Sequence, residues 1–504
     1  MITTAVSRGL ESVFVQVEAD VSDGMPVFEM VGFLSSEVKE ARERVRTALH
    51  SCGYKIPAKR ITVNLSPADV RKSGSAFDLP IAFAVLAALG KVPAEAFLDT
   101  LVLGEISLSG KVQPIRGVLP VAAKAKENGM KRCIVPYLNQ AEAKLIPGME
   151  IWGVKDLGEA VAYLSGKTYC EKKPAFIKEK KDVEPEPDFS EINGQHTLKR
   201  ACEVAVAGMH NFLMIGPPGS GKTMLAKRIP GILPPMTKEE QLETSEIYSV
   251  LGMLPQNGRL MDKRPFRNPH HTISPNGLSG GGAAPKPGEI SLAHKGVLFL
   301  DELLEYKKST LEILRQPMED KKITLVRQSG SYCYPSDFML VAAMNPCKCG
   351  YYPDRSRCGC KDAEVARYLG RISKPLLDRI DICTEAPAVC YEELTEKRTN
   401  ETSAAIRGRV IAAQERQRRR FLENEFSYNS QIPSRDIAKY CKLNGKEQKY
   451  MKEIYQKMDL SARGYYKILK TARTIADLDD SSEILFHHLN EAVCYRVQNR
   501  KYWE

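Results

Sequence analysis

The chain has 504 residues, 43% of them apolar, enough for about two to four domains that each bury a core. Its 73 lysines and arginines against 62 aspartates and glutamates leave a net charge of +11, which permits a polyanionic partner without requiring one. No secretory signal and no apolar run long enough to span a bilayer is legible, so a cytoplasmic protein is expected, with its 13 cysteines serving as thiols or metal ligands and not as a disulfide framework.

Over residues 1–166, strand-like runs (13–17, 60–64, 100–103, 132–135) alternate with helix-like ones (36–51, 77–88, 121–128), the pattern of an α/β domain. Three landmarks stand in it: Asn64-Leu65-Ser66-Pro67-Ala68, Lys72-Ser73-Gly74-Ser75-Ala76-Phe77-Asp78-Leu79-Pro80, and Gly104-Glu105-Ile106-Ser107-Leu108-Ser109-Gly110 leading to Pro114-Ile115-Arg116-Gly117. With them the region resembles the Lon-protease-like fold that also occurs in the recombination protein RadA. A working peptidase of that kind needs a serine nucleophile and a lysine that deprotonates it. The resemblance puts the serine position on Ala76, or on Ser75 if the register slips by one, and the lysine position on Leu119. A non-catalytic module for assembly or nucleic-acid contact is therefore expected. Arg42, Arg44, Arg46, Lys55, Lys59, Arg60, Arg71 and Lys72 make its middle strongly basic, which suits either a solvated helix face or a surface for a phosphate backbone.

Residues 167–187 lose periodicity, become charged and Pro-bearing, and read as a linker. An ATPase core is expected over residues 188–390. It opens with Ile192-Asn193-Gly194-Gln195 before a helix-like run, 198–207, a position at which an adenine commonly docks. Gly216-Pro217-Pro218-Gly219-Ser220-Gly221-Lys222-Thr223 then follows the apolar run 211–215 and precedes helix-prone residues. This is G-x-x-x-x-G-K-[ST] in its strand–loop–helix setting. Glycines let successive N–H groups face the phosphates of ATP, Lys222 reaches the β- and γ-phosphates, and Thr223 holds Mg2+. A Gly-rich turn of purely structural use is the alternative.

An insert of about seventy residues follows, more than a simple crossover needs. It carries Arg264-Pro265-Phe266-Arg267-Asn268-Pro269-His270-His271-Thr272, then Gly280-Gly281-Gly282 and Pro285-Lys286-Pro287-Gly288-Glu289-Ile290. Such loops are expected to line a ring's pore and grip a polymer through Arg267 and Lys286. His270 and His271 lack a third ligand at useful spacing, so no metal site is expected there. The apolar run Val297-Leu298-Phe299-Leu300 ends in Asp301-Glu302, as a strand buried on both faces that delivers a Mg2+ ligand and a carboxylate to orient the attacking water. A third apolar run, 338–344, ends in Asn345, placed to touch that water or a phosphate. Three such strands describe a hydrolase.

Beyond Asn345, Cys347 and Cys349 are separated by an eight-residue loop from Cys358 and Cys360. These four thiolates suit a structural Zn2+; four reduced thiols near a turn are the alternative. In Pro375-Leu376-Leu377-Asp378-Arg379-Ile380-Asp381, Arg379 is the candidate for a cation inserted into a neighbouring subunit's site, with Arg371 as runner-up; surface ion pairs are the alternative. Residues 391–504 read as a helical lid that includes the basic run Arg416-Gln417-Arg418-Arg419-Arg420. Arg463, at the start of a helix, is the candidate second arginine on the γ-phosphate, and Arg473 a weaker one whose spacing equally suits a structural salt bridge.

The whole chain resembles the YifB/ComM family of magnesium-chelatase-like AAA+ ATPases. The matching segments are Gly216 to Thr223, Gly288-Glu289-Ile290-Ser291-Leu292-Ala293-His294, Val297 to Glu302, Ala343-Met344-Asn345-Pro346-Cys347, Pro375 to Asp381 and Ser461 to Leu478. The resemblance implies a Lon-like α/β domain, a P-loop AAA+ α/β core and a C-terminal helical lid. It also implies a homo-hexameric ring that hydrolyses ATP with Mg2+ and acts on single-stranded or branched DNA, since ComM members are branch-migration helicases in natural transformation. Lys348 departs from the proline expected of the family. A chelatase or protein-remodelling subunit is the second reading, although no metal-chelating or porphyrin-binding domain is visible. A nucleotide-sensing scaffold would leave Glu302, Asn345 and Arg379 without a use.

Overall fold

A computed structural model describes residues 1–167, 187–255, 258–327, 330–388, 391 and 400–503, without the side chains of 497–501. All but the ends of the expected linker falls outside the described residues. Among those described, no helix is long and apolar enough to cross a membrane.

The first 166 residues build a seven-stranded mixed sheet, order β3-β4-β2-β1-β5-β6-β7, from β1 (Ile2–Arg8), β2 (Glu11–Ser22), β3 (Val27–Val31), β4 (Arg60–Ser66), β5 (Thr100–Val102), β6 (Arg132–Pro136) and β7 (Glu150–Val154). Helix α1 (Ser36–Ser51) shows one apolar stripe, Val38, Ala41, Val45, Ala48 and Leu49, and lies on the sheet as an amphipathic helix should. Helix α2 (Asp78–Ala88) is apolar on nearly every face and is correspondingly central, buried from Asp78 to Leu86. Its first residue carries a carboxylate into the core. Arg44 answers it with two hydrogen bonds of 2.8 and 2.9 Å, and the Ile106 amide with a third of 3.2 Å.

That pairing changes the reading of the basic stretch. Lys72 is fully buried, and Arg42, Lys59 and Arg60 pair with Glu43, Asp23 and Glu29. Arg46, Lys55 and Arg71 alone have no partner among the described residues; four of the eight basic residues serve this fold's own carboxylates, and Lys72 turns inward onto the Pro67 carbonyl.

Residues 188–388 form a five-stranded, all-parallel sheet, order β9-β10-β11-β8-β12, from β8 (Phe212–Ile215), β9 (Phe266–Arg267), β10 (Val297–Leu300), β11 (Met339–Met344) and β12 (Ile382–Glu385). Its strands are apolar without alternation because each face has its own core. Phe212, Met214, Val297, Phe299, Val341 and Ala343 pack on one side, and Leu213, Ile215, Leu298, Leu300, Leu340 and Met344 on the other.

The first of those cores is shared with α5 (His196–Gly208) and the C-terminal helices α8 (Ser403–Arg420), α9 (Gly445–Lys457), α10 (Ala462–Leu478) and α11 (Phe486–Trp503). Within these helices the buried Asp477 draws together Arg420 (2.9 Å), Arg473 (3.2 Å) and Asn429 (2.8 Å). Arg416 donates to the Asp477 carbonyl at 2.8 Å. The basic run 416–420 thus has a structural use, and Arg473 takes the salt-bridge alternative.

Helix α3 (Val118–Glu127), which with α4 (Leu157–Leu164) belongs to the first sheet's layer, packs on α7 (Lys238–Leu251), from the insert. The Leu119 amide donates to Glu142 at 3.1 Å, and Ser249 Oγ donates to the same carboxylate at 2.5 Å. Leu119 itself is buried against Leu242, Leu254 and Leu260. An apolar anchor therefore stands where the resemblance would put a peptidase's lysine, and the hydroxyl of Ser75 donates to Glu105.

Glu246 lies on the same helix α7, where burial, reinforced by Glu243 and Glu127, pushes its carboxyl up to about 7 from an ordinary 4.5. A carboxyl raised on folding costs stability as pH climbs from the unfolded value through the folded one. Glu246→Gln should therefore raise the melting temperature at pH 8, by on the order of 2 kcal/mol of stability, and give no gain at pH 4.5. Parallel melts of the two proteins at both pH values check this.

Candidate nucleotide site

The loop after β8 turns where glycine is required. Gly219 and Gly221 sit at φ +76° and +83°, a region that side chains disfavour. Gly216 has a different reason: a Cβ there would lie 2.1 Å from the carbonyl oxygen of Ala386, just past β12. Helix α6 (Lys222–Ala226) begins directly behind the loop.

Lys222 folds its ammonium back into the loop. It donates to the carbonyls of Gly216 and Pro217, both at 2.8 Å, and lies 3.3 Å from both Ser220 Oγ and Asn345 Oδ1. All four acceptors are neutral. Burial pushes the ammonium down to about 8, against the pull of the Asp301 carboxylate. A buried cation on neutral acceptors fits an anion that arrives from outside.

The carboxyl ends of the adjacent strands complete the arrangement. Thr223 Oγ1 donates to Asp301 Oδ2 at 2.7 Å, which joins a hydroxyl and a carboxylate as hard oxygen ligands suited to Mg2+. Glu302, next along, holds φ +50° and donates its amide to Asp301 Oδ1 at 3.0 Å. Left-handed backbone at a non-glycine costs on the order of 1 kcal/mol and tends to occur at functional sites. The Glu302 side chain is more than half exposed and lies 3.2 Å from His271 Nδ1.

Gly216 to Thr223, Asp301, Glu302 and Asn345 are thus gathered at one edge of the sheet, the edge at which open α/β sheets bind ligands. Two contacts at this edge were not legible in the sequence. His271 meets Glu302 because Tyr306 holds the preceding loop through the Pro269 carbonyl at 2.6 Å. Gln195 joins the segment before α5 to this edge, donating to the Ser220 carbonyl at 3.1 Å and the Pro387 carbonyl at 2.6 Å. No motif spacing marks either contact.

Other expected residues lie elsewhere. Arg379 and Arg463 line a cleft of about 860 Å3 together with Asn211, Lys295, Asp337 and Asp381, each of which precedes a strand of the parallel sheet. Both arginines are therefore at the edge opposite their own phosphate loop, and both approach Glu319, at 2.7 and 3.6 Å. In this arrangement Arg463 does not reach the phosphate loop of its own chain. Arg371 binds the Leu304 carbonyl at 2.8 Å and Glu305 at 3.0 Å. Arg267 is held in two hydrogen bonds by Glu289, at 2.7 and 2.8 Å, so it is not the free gripping cation expected of the insert; Lys286 is exposed.

The parallel sheet, the loop on Lys222 and the carboxylate pair after β10 define a P-loop ATPase of the AAA+ class. Sequence comparison narrows the class. Residues 188–394 match the profile of magnesium chelatase, subunit ChlI; residues 17–139 match subunit ChlI of Mg-chelatase; and residues 400–496 match the C-terminal part of subunit ChlI. YifB of Salmonella typhimurium, itself described as uncharacterized, is 40% identical over 501 residues, covering 99% of this chain and 97% of that one. The competence protein ComM of Haemophilus influenzae is 39% identical over 504 residues, covering 99% and 98%. Lon protease 2 of Bacillus subtilis is 35% identical over 149 residues, 29% of this chain and 26% of that one. The chain belongs to the YifB/ComM family of magnesium-chelatase-like AAA+ ATPases.

If Lys222 meets nucleotide phosphates, its state would make nucleotide affinity depend on pH. Phosphates there would hold the proton that the free, buried lysine releases near pH 8. Affinity for a fluorescent ATP analogue should be flat below that pH and fall by up to about tenfold per unit above it. Lys222→Arg, which keeps its proton, should bind more weakly but without this slope.

Proposed function

We propose that the protein is an ATP-hydrolysing ring motor that acts on DNA, in branch migration or a related helicase-like step. The observation that carries the ring is the division of the site between opposite edges: the phosphate loop, Asp301, Glu302 and Asn345 lie at one, Arg379 and Arg463 at the other. An ATPase needs a cation on its transition state, and one on the far edge of the same chain can serve only a neighbour. Head-to-tail contacts that close make a ring, here a hexamer by analogy with the family.

In this mechanism Lys222 leaves its carbonyls for the phosphates, and Asn345, now relieved of the ammonium, turns to the γ-phosphate or the attacking water. Glu302 orients that water, with His271 setting the carboxylate's direction. Thr223 and Asp301 would hold Mg2+, which supplies charge neutralisation at the phosphates. Arg379 of one subunit, with Arg463 beside it, meets the nucleotide of the next and gives up Glu319 to do so.

The net charge of +11 and the relative named as a competence protein support DNA as the load. Because Arg267 is occupied by Glu289, the exposed Lys286 is the better candidate for a strand contact. The first sheet, without a serine–lysine pair, acts as an assembly or nucleic-acid module anchored on α7 through Leu119. The match to magnesium chelatase subunit ChlI favours a second reading, a chelatase-type or protein-remodelling subunit.

ATP turnover with Mg2+, measured alone and with single-stranded, duplex and branched DNA across a salt series, separates the two. A DNA motor is stimulated by DNA, and the stimulation fades as salt rises because phosphate contacts release counterions. Turnover indifferent to every DNA would reject the DNA reading in favour of a protein or tetrapyrrole partner.

A further inference from the structure

Cys347, Cys349, Cys358 and Cys360 converge so that their four sulfurs all lie within 4.8 Å of one another. The sulfurs stand 3.3 Å apart between Cys347 and Cys349, 3.7 Å between Cys347 and Cys358, and 3.5 Å between Cys349 and Cys358. A tetrahedral zinc with Zn–S bonds of ~2.3 Å spaces its sulfurs about 3.8 Å apart, so a slight outward breathing of the set accommodates one ion. The set is too tight to enclose a cluster of several irons, and none of the four cysteines is in a disulfide. Four soft ligands at tetrahedral spacing select a thiophilic ion over Mg2+ or Ca2+.

The surrounding loop is built to hold this shape. The Tyr352 amide points at Cys347 Sγ at 3.4 Å, the Cys358 amide donates to the Asp354 carbonyl at 2.8 Å, and Arg355 donates to the Cys360 carbonyl at 2.7 Å. Cys347 and Cys358 are buried in the core that covers one face of the ATPase sheet, while Cys349 and Cys360 are partly exposed and give an ion a route in.

The same loop presses on the phosphate loop. A Cβ on Gly350 would lie 2.4 Å from Cδ of Pro218, so the turn next to Cys349 touches the phosphate loop without room for a methyl group. Asn345, whose Oδ1 is 3.3 Å from Lys222 Nζ, is two residues before Cys347. The four-cysteine loop thereby holds two separate parts of the nucleotide pocket.

We propose that Cys347, Cys349, Cys358 and Cys360 bind one structural zinc ion, and that this ion braces Pro218 and Asn345 so that the phosphate loop is set before nucleotide arrives. The metal site stands on the sulfur geometry alone; its effect on binding rests on the nucleotide reading of the phosphate loop. Without the ion the loop relaxes, Pro218 loses its backstop, and nucleotide binding must then order both. Zinc removal weakens nucleotide without altering a residue that touches it.

The test is metal analysis of the full-length protein, followed by titration with a fluorescent ATP analogue before zinc removal, after removal by a chelator with a thiol-masking reagent that is then reversed, and after zinc is added back. The expected result is about one zinc per chain and an affinity loss of about tenfold, the size of coupling that packed contacts carry, restored by zinc. Replacement of zinc by cobalt should give the intense visible absorption of a tetrahedral thiolate site, and Cys358→Ser with Cys360→Ser should abolish it while leaving Cys347 in the core.

Protein that holds no zinc when purified and refuses added zinc or cobalt, or that holds iron instead, overturns the site. An affinity unchanged by zinc removal overturns the brace. Zinc-loaded protein that ignores the analogue overturns the nucleotide reading and the brace with it, while the metal count still upholds the site.

Discussion

The position of the Lys222 ammonium constrains the rest of the ATPase fold. It is a buried cation whose near acceptors are two carbonyls, a hydroxyl and an amide oxygen, all neutral. Such a group is tolerated only where the backbone itself is bent to meet it, which is what Gly219 and Gly221 allow. The bend needs a rigid origin, and β8 supplies one as the strand between β11 and β12, apolar on both faces. Parallel neighbours also end at the same edge, so Asp301 and Asn345 arrive beside Lys222 because of topology and not through any long reach of side chain.

Parallel topology has a second consequence at the other edge. Asn211, Asp381 and Lys467 knit the amino ends of the strands to α10, with Asp381 receiving the Asn211 amide at 3.0 Å and the Lys467 ammonium at 2.8 Å. Arg379, two residues before Asp381, and Arg463, at the start of α10, are positioned by this framework. Their shared Glu319 keeps them paired in the isolated chain. The proposed ring would replace that carboxylate with a phosphate from the next subunit, an exchange of one anion for another that leaves the framework in place.

Much of this was legible from residues alone, for physical reasons that differ by site. The phosphate loop, the carboxylate pair and Asn345 are readable because each follows a strand with no polar residue, and a strand buried on both faces leaves its chemistry to its end. Helix α1 is readable because its apolar positions repeat at helical spacing over sixteen residues. The short edge strand β3, with both ends exposed, and β7 carried no comparable pattern and were not foreseen.

Contacts between distant segments were also invisible. Nothing in the spacing of Arg44 announces Asp78, and nothing in Arg267 announces Glu289, so both read as free cations. The sequence locates the helix that begins beside Arg463 but not the side of the sheet on which it packs. The Cys-x-Cys pairs were recognisable as ligands, whereas their contact with Pro218 depends on how the loop folds back.

The division of the site between two subunits is the central claim, and subunit mixing measures it most directly. Glu302→Gln removes the water-orienting carboxylate but keeps Arg379, while Arg379→Ala does the reverse; each protein alone should be nearly inactive. In rings assembled at random from equal amounts, about a quarter of the interfaces join an intact Glu302 to an intact Arg379. ATP turnover of the mixture should therefore recover towards about a quarter of the wild-type rate when sites act independently. Turnover that stays at the level of the separate variants, in mixtures shown to exchange subunits and bind nucleotide, would contradict a site shared between neighbours.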